Sequence, residues 1–389
     1  MGDPIKKITL KDGTTRYRFV VDIGHDANGK RKQLTVTKDT KTEAKNERAR
    51  ILHQRANGTL VPPSKMTVDE LLNDWLKSAT RDVEEGTAAN YEDAVRPVRV
   101  HLGHKPLQEI TEDDVESLID WMLTSGRVRG GKAGTGLGLR SVQLTLGRLR
   151  SALHLAVRRQ LVTRNVAEHV TIPRQARQEA KAKRAKRVPW TEQEVKVFLA
   201  ECQGHRLHAA MLLLLLGLRP AEVCGMRWSE DVDLTAGTIQ VETTRTMVRG
   251  KVVEKDPKSE RGKRTLPLPA VVLGALRAAK AAQAKEKLAA GQGYTDSGRV
   301  VVDELGEAAK TDWLRRRVYK LMEAAGVRKV RPYDARHACL TWMATSGVPD
   351  VIVSAWAGHS DLSFTKRVYV HPDAEDLRAG ADHMQKVLG

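Results

Sequence analysis

The chain has 389 residues, 41% of them hydrophobic, which is enough for two or three ordinary cores and too much for a disordered tail. Lysine and arginine number 66 against 48 acidic residues, and the formal charge of +18 suits a polyanionic partner, DNA or RNA first. A membrane surface is the competing polyanion, but no signal peptide is legible, and the longest apolar run, Ala209 to Leu218, is about half of what a bilayer crossing needs.

Tyr17, Phe19 and Val21 alternate as one face of a strand, a turn is expected at Asp26 to Gly29, and a second strand at Gln33 to Thr37. Thr40 followed by Glu43 is a capping box that opens a basic helix, running to about Ala56 and stopping before Gly58. Residues 1–60 thus read as a small β-sheet-plus-helix module. Val61, Pro62, Pro63 and Ser64 read as a linker, because paired prolines block a helix and favour extended backbone.

From Thr67 the pattern turns helical. Thr67/Glu70 and Thr111/Asp114 are capped helix starts, each followed by leucines and a tryptophan at helical spacing, so residues 64–172 form an all-helical second domain. Its last long helix turns Val142, Leu146, Leu149 and Leu153 inward and leaves Arg140, Arg148, Arg150, Arg158 and Arg159 largely elsewhere on its surface. A solvated charged face is the bland account of any one such helix. Five arginines with no acid between them favour phosphate contact.

Residues 173–188 hold seven basic residues and one acid without apolar periodicity. They read as an interdomain linker whose Arg174, Arg177, Lys181, Lys183 and Arg184 can lie along a DNA backbone. Thr191 and Glu194 then cap the first helix of a third domain, residues 189–389. It continues through a buried helix ending at Arg219, a β-rich stretch from Thr238 to Leu268, and helices to the C-terminus. The fold class expected is mainly α with small antiparallel β-sheets, in three domains.

Several motifs are decoys. Gly126 to Lys132 has the spacing of a phosphate-binding loop, but Ala133 replaces the residue that would hold magnesium, helical sequence precedes it, and its glycines read as a flexible insertion between helices. His101/His104 and His205/His208 lack a carboxylate or cysteine partner set and read as surface or core histidines. Cys202, Cys224 and Cys339 are odd in number and unpaired in spacing, which points away from disulfides or a cysteine zinc site and towards a reducing cytoplasm. No cofactor or metal is expected.

Moving a phosphodiester without a metal requires cations around its non-bridging oxygens, where charge builds in the transition state. Arginine suits this best, with a planar fork that grips two oxygens and stays charged. The chain offers GLRPAEVCGMRW at 217–228, KSERGKRTLPLP at 258–269, RPYDARHACLTWM at 331–343 and AGHSDLSFTKRVYVH at 357–371. In the order and content of these four motifs the sequence resembles the tyrosine recombinase, or phage integrase, family.

The resemblance implies that Arg219 and Arg336 clamp the phosphate and that Glu222 supports Arg219. Lys258, with Lys255, Arg261 and Lys263 as rivals, is the general acid for the leaving 5′ oxygen. His359 hydrogen-bonds the phosphate or assists the nucleophile, and Tyr369 attacks phosphorus to leave a 3′-phosphotyrosine. Tyr333 stands where the family usually has histidine. A phenol can donate to a phosphate oxygen but cannot act as a proton carrier at neutral pH, so Tyr333 is either a phosphate ligand or a packed tyrosine without catalytic duty.

By the same resemblance, residues 64–172 are a core-site DNA-binding domain and residues 1–60 an arm-binding module. The partners are double-stranded attachment sites of core and arm type, further copies of the chain in a tetramer on DNA, and a DNA-bending host factor and an excisionase, with no membrane. The function implied is integration or excision of a phage or related element in the cytoplasm of a bacterial host, at its nucleoid. The alternatives are a type IB topoisomerase and a catalytically silent DNA-binding regulator of the same fold.

Overall fold

The computed structural model describes residues 3–25, 31–185, 190–255 and 263–358. The expected turn at Asp26 to Gly29, together with Lys258, Arg261, His359 and Tyr369, lies outside them. The chain divides into two compact units, residues 1–186 and 187–389. Mostly helical, with small antiparallel sheets, it has the fold class its sequence predicts.

The first unit opens with strands β1 (Ile5–Thr9), β2 (Thr15–His25) and β3 (Arg31–Lys38), joined antiparallel with β2 in the centre. Alternation along β2 sends Phe19 and Val21 into a small core with Ile5 and with Ala44 and Ile51 of helix α1 (Lys41–Ala56). Strand β1 escaped the sequence reading because Lys6 and Lys7 break its pattern, and of its five residues only Ile5 is buried. Thr40 caps α1 by accepting the Glu43 N–H at 3.2 Å. The proline stretch that follows is tied down by Gln108, which donates to the Pro62 carbonyl at 2.9 Å and accepts the Ser64 N–H at 3.1 Å.

Helices α2 (Val68–Ala79), α3 (Glu85–Leu102), α4 (Glu112–Thr124) and α5 (Leu139–Arg158) build a second, larger core in the same unit. Both capping boxes read from the sequence are present, at Thr67/Glu70 and Thr111/Asp114. Val142, Leu146, Leu149 and Leu153 all point into this core. Leu149→Ala should cost about 2–5 kcal/mol, the usual range for emptying a closely packed leucine site, read as a lower midpoint in denaturant unfolding.

Two segments of this unit depart from expectation. Residues after α4 do not form a loose glycine insertion but a turn wrapped around Arg127, whose guanidinium donates to Thr135 Oγ1 and to the carbonyls of Gly130 and Gly136 at 2.9–3.1 Å. Gly136 is required there, since a Cβ would sit 1.9 Å from the Leu123 carbonyl oxygen. Helix α6 (Arg174–Ala185) occupies the stretch read as a linker. Alanine, arginine, lysine, glutamine and glutamate are strong helix formers, while among the described side chains of α6 only Ala176 joins the neighbouring core, so no apolar stripe betrays the helix.

The second unit runs α7 (Glu192–Cys202), α8 (His208–Leu215), α9 (Pro220–Gly225), β4 (Val232–Asp233), β5 (Thr238–Val241), β6 (Thr244–Val248), β7 (Lys251–Lys255) and β8 (Arg264–Pro267). Helices α10 (Ala270–Ala290), α11 (Thr311–Ala324), α12 (Pro332–Thr345) and α13 (Asp350–Ala357) follow. Strands β4, β5 and β8 form one antiparallel sheet, and β6 and β7 a separate hairpin. Helix α8 is the centre of the core, buried at every residue from Ala209 to Leu214. It stops at Leu215, not at Arg219 as its apolar run implies, because Gly217 at φ +95° turns the chain and Pro220 starts a new helix. No helix among the described residues is long and apolar enough to cross a membrane.

Candidate active site

The turn between α8 and α9 creates the site. A Cβ at Gly217 would meet Cys339 Sγ at 3.3 Å, and the left-handed backbone there disfavours any side chain. The turn delivers Arg219 to the N-cap of α9, where serine or threonine is usual. Glu222, three residues on, closes a capping box with it: the Arg219 N–H donates to Glu222 Oε2 at 2.7 Å and Arg219 Nη1 to Oε1 at 2.6 Å. Arg219 is therefore held at both its backbone and its guanidinium, yet its side chain stays 32% exposed.

Glu222 is only 1% exposed, and a buried carboxylate needs full compensation. Arg264, the first residue of β8, supplies the rest: its Nη1 donates to Oε1 at 3.2 Å and its Nη2 to Oε2 at 3.1 Å. Burial pushes the Glu222 carboxyl up, but Arg264 and then Arg219 outweigh it and hold the group below the ordinary carboxylate range. Because that pKa is depressed on folding, the cluster contributes its stability in full above the ordinary glutamate value and loses it as pH falls through the lowered one.

Arg336 comes from the first turns of α12 and is wholly buried. Its Nη1 donates to the Gly217 carbonyl at 2.6 Å and its Nη2 to the Ala357 carbonyl at the end of α13. Burial first, and the neighbouring charges of Arg219 and Arg264 next, pull its pKa down to about 10, with Glu222 opposing. Arg219 moves the other way, since burial is overcome by Glu222 and, after it, by the nearby Tyr333 phenol. Tyr333 is 40% exposed, with its ring edge-on to His337 at 5.2 Å. It is a rim residue and not a packed core tyrosine.

The described part of the site thus joins Arg219, Glu222, Tyr333 and Arg336 from two distant motifs. Sequence reading missed Arg264, although it lies within one of the four motifs. The signal was available in the need of a buried Glu222 for more than one cation. Lys255 ends β7 and Lys263 precedes β8, so these two rivals of Lys258 flank the segment that carries it. Chemically, two guanidinium groups on one carboxylate, with the Arg336 guanidinium close by, leave an excess of positive charge suited to a phosphodiester.

The arginines expected to meet DNA in the first unit divide. Arg140 and Arg148 line a groove of about 590 Å³ with Arg96 and Arg129, which the sequence reading did not single out. The Arg148 guanidinium lies 4.0 Å from the Tyr91 ring centroid, and Asp93 pairs with both Arg96 and Arg129. Arg158 is exposed, and Arg159 is exposed but paired with Asp74 at 2.9 Å. Arg150 differs from expectation: its Nε and Nη2 turn inward onto the carbonyls of Ala167 and Val170, holding the segment after α5. A helix face with a long arginine beside a stretch lacking regular hydrogen bonds has a structural use for it. Arg174, Arg177, Lys181 and Lys183 are exposed along α6, with Arg184 in its last turn. Of the decoys, His101 stacks on Trp121 and His205 accepts the Leu207 N–H.

Residues 189–376 match the phage integrase family, and residues 67–123 match the N-terminal SAM-like domain of phage integrases. The chain is 26% identical over 378 residues to a tyrosine recombinase XerC-like protein of Caldanaerobacter subterraneus subsp. tengcongensis, covering 93% of this chain and 94% of that one. It is 29% identical over 386 residues to an integrase of Streptomyces ambofaciens, covering 96% and 94%. In fold it is similar to the Tn1549 transposon integrase in complex with circular intermediate DNA, with a TM-score of 0.63 at 20% identity over 82% of this chain and 100% of that one. A lambda integrase dimer bound to a COC′ core site gives 0.54 at 18% identity, covering 94% of each. The chain belongs to the phage integrase family and is a tyrosine site-specific recombinase.

Proposed function

We propose that the chain integrates or excises a phage or related mobile element by metal-free transesterification. Tyr369 attacks a backbone phosphorus, a bond forms between its phenolic oxygen and phosphorus, and the bond to the 5′ oxygen breaks. The products are a 3′-phosphotyrosine and a 5′ hydroxyl, with Lys258 giving the proton the leaving oxygen needs. His359 hydrogen-bonds the phosphate or assists the nucleophile. Arg219, with Tyr333 beside it, and Arg336 bear the charge on the non-bridging oxygens. Attack by another strand's 5′ hydroxyl on the phosphotyrosine returns the tyrosine, so no nucleotide is consumed. The observation that carries the reading is the fixing of Arg219 by Glu222 next to Arg336 and Tyr333, four residues brought together from separate motifs.

The substrate is double-stranded DNA. The helical domain takes the core site, with Arg140, Arg148 and α6 as phosphate ligands, and residues 1–60 take arm sites. Four copies assemble on DNA through a four-way junction, aided by a DNA-bending host factor and an excisionase, in the cytoplasm of a bacterial host. Solved relatives were captured with circular intermediate DNA and with a core site, in keeping with this assignment.

The test uses a core duplex selected by the full chain from a random pool, nicked and end-labelled. The recombinase leaves a denaturant-resistant protein–DNA adduct, whereas a silent regulator gives only a mobility shift. Residues 1–60 have a hydrophobic core of their own, so their deletion should leave core-site cleavage intact and impair recombination of full attachment sites. Equal recombination with and without them would remove the arm-binding role.

A further inference from the structure

Two consecutive carbonyls at the end of α13 are taken by two different guanidinium groups. Ala357 accepts from Arg336 of α12, and Trp356 accepts Arg264 Nε from β8 at 2.7 Å. The last carbonyls of a helix carry partial negative charge and lack partners within the helix, so cations suit them. The Trp356 indole in turn donates to the Leu216 carbonyl at 2.8 Å, next to the turn that delivers Arg219. Arg264 is 6% exposed and reaches no solvent-facing position from which it could meet DNA directly. Its other two nitrogens saturate Glu222, each carboxylate oxygen accepting once from Arg219 and once from Arg264.

We propose that Arg264 is a positioning residue for strand cleavage, setting Glu222, and through it Arg219, in register with the end of α13. The proposal rests on Arg219 being a phosphate ligand, as read above. A carboxylate gripped by a single guanidinium can pivot about that contact, whereas one held from two sides by forked donors has one orientation. Arg264 provides the second side and ties it to α13, the helix that leads into the Gly358-His359-Ser360 motif. It also begins the strand that follows the segment bearing Lys258. One buried side chain therefore links the carboxylate behind the phosphate clamp to the two flanking segments for which catalytic duties are proposed.

Single-turnover adduct formation by the full chain on the nicked core duplex tests this, at saturating protein and below each variant's unfolding midpoint. Arg264→Ala should slow cleavage by about 100-fold, the loss that a displacement near 1 Å can produce, with unchanged affinity for the duplex. Arg264→Lys, which keeps the charge without the fork, should also be slow. Combined with Glu222→Gln, Arg264→Ala should add little further loss, since both act on Arg219 by one route. Wild-type rates in folded Arg264→Ala and Arg264→Lys, a loss that only tracks the folded fraction, or additive losses in the double variant would overturn the role. Arg219→Ala distinguishes the two levels: if it cleaves normally the phosphate-ligand reading fails, and if it is slow while the Arg264 variants are not, the positioning role alone fails.

Discussion

Tyr369→Phe should eliminate the denaturant-resistant adduct while leaving the mobility shift of the full chain unchanged. The substitution removes one oxygen, the atom proposed to displace the 5′ oxygen, and no other group can take over an in-line attack prepared for it. DNA affinity in such proteins is spread over many phosphate contacts, so losing a neutral hydroxyl at one of them has little effect on binding. Gel electrophoresis under denaturing conditions reads the first outcome and native electrophoresis the second. An adduct that persists in Tyr369→Phe would assign the nucleophile elsewhere, with Tyr333 the next to replace, since it stands beside Arg219.

Arg219→Ala should reduce the cleavage rate by about 10²–10³-fold, the usual loss when one fixed donor is taken from a charge-stabilising site. It should spare most of the affinity for the core duplex. The substitution also leaves Glu222 with Arg264 as its remaining forked partner in a site closed to water, so some loss of stability accompanies the loss of rate. Arg219→Lys should recover little, because an ammonium cannot donate to Glu222 and to a phosphate in the same planar geometry. Single-turnover rates and binding isotherms, measured side by side, separate the effects. A large fall in affinity with a normal rate for the bound fraction would contradict the clamp.

Much of the fold was legible because local rules and tertiary packing agree. The capping boxes at Thr67, Thr111 and Thr191 start helices where they were read, and the inward leucines of α5 fill the core predicted for them. Legibility failed where tertiary context overrode pattern. Strand β1 pairs along β2 with a single buried residue, so no alternation marks it. Helix α8 ends early because one glycine adopts a positive φ inside an apolar run. Arg150 looks like its surface neighbours on α5 in sequence, and only the path of residues 165–170 shows that it serves backbone carbonyls. At the site, the resemblance pointed to Arg219, Glu222 and Arg336, but the burial of Arg336 and the bridging by Arg264 depend on side chains far apart in the chain.

The peptide at Gly217 serves two masters. Its carbonyl anchors Arg336 from α12, and its bend decides where Arg219 emerges, so the two arginines proposed as the clamp inherit their spacing from one backbone unit. Drift in the surrounding helices can accumulate without altering that spacing, whereas a single residue gained or lost in this hinge disconnects both arginines together. On the proposed assignment of the core site to the first unit, retargeting the enzyme to new DNA would remodel that unit, and the four residues from 216 to 219 mark the stretch to leave alone.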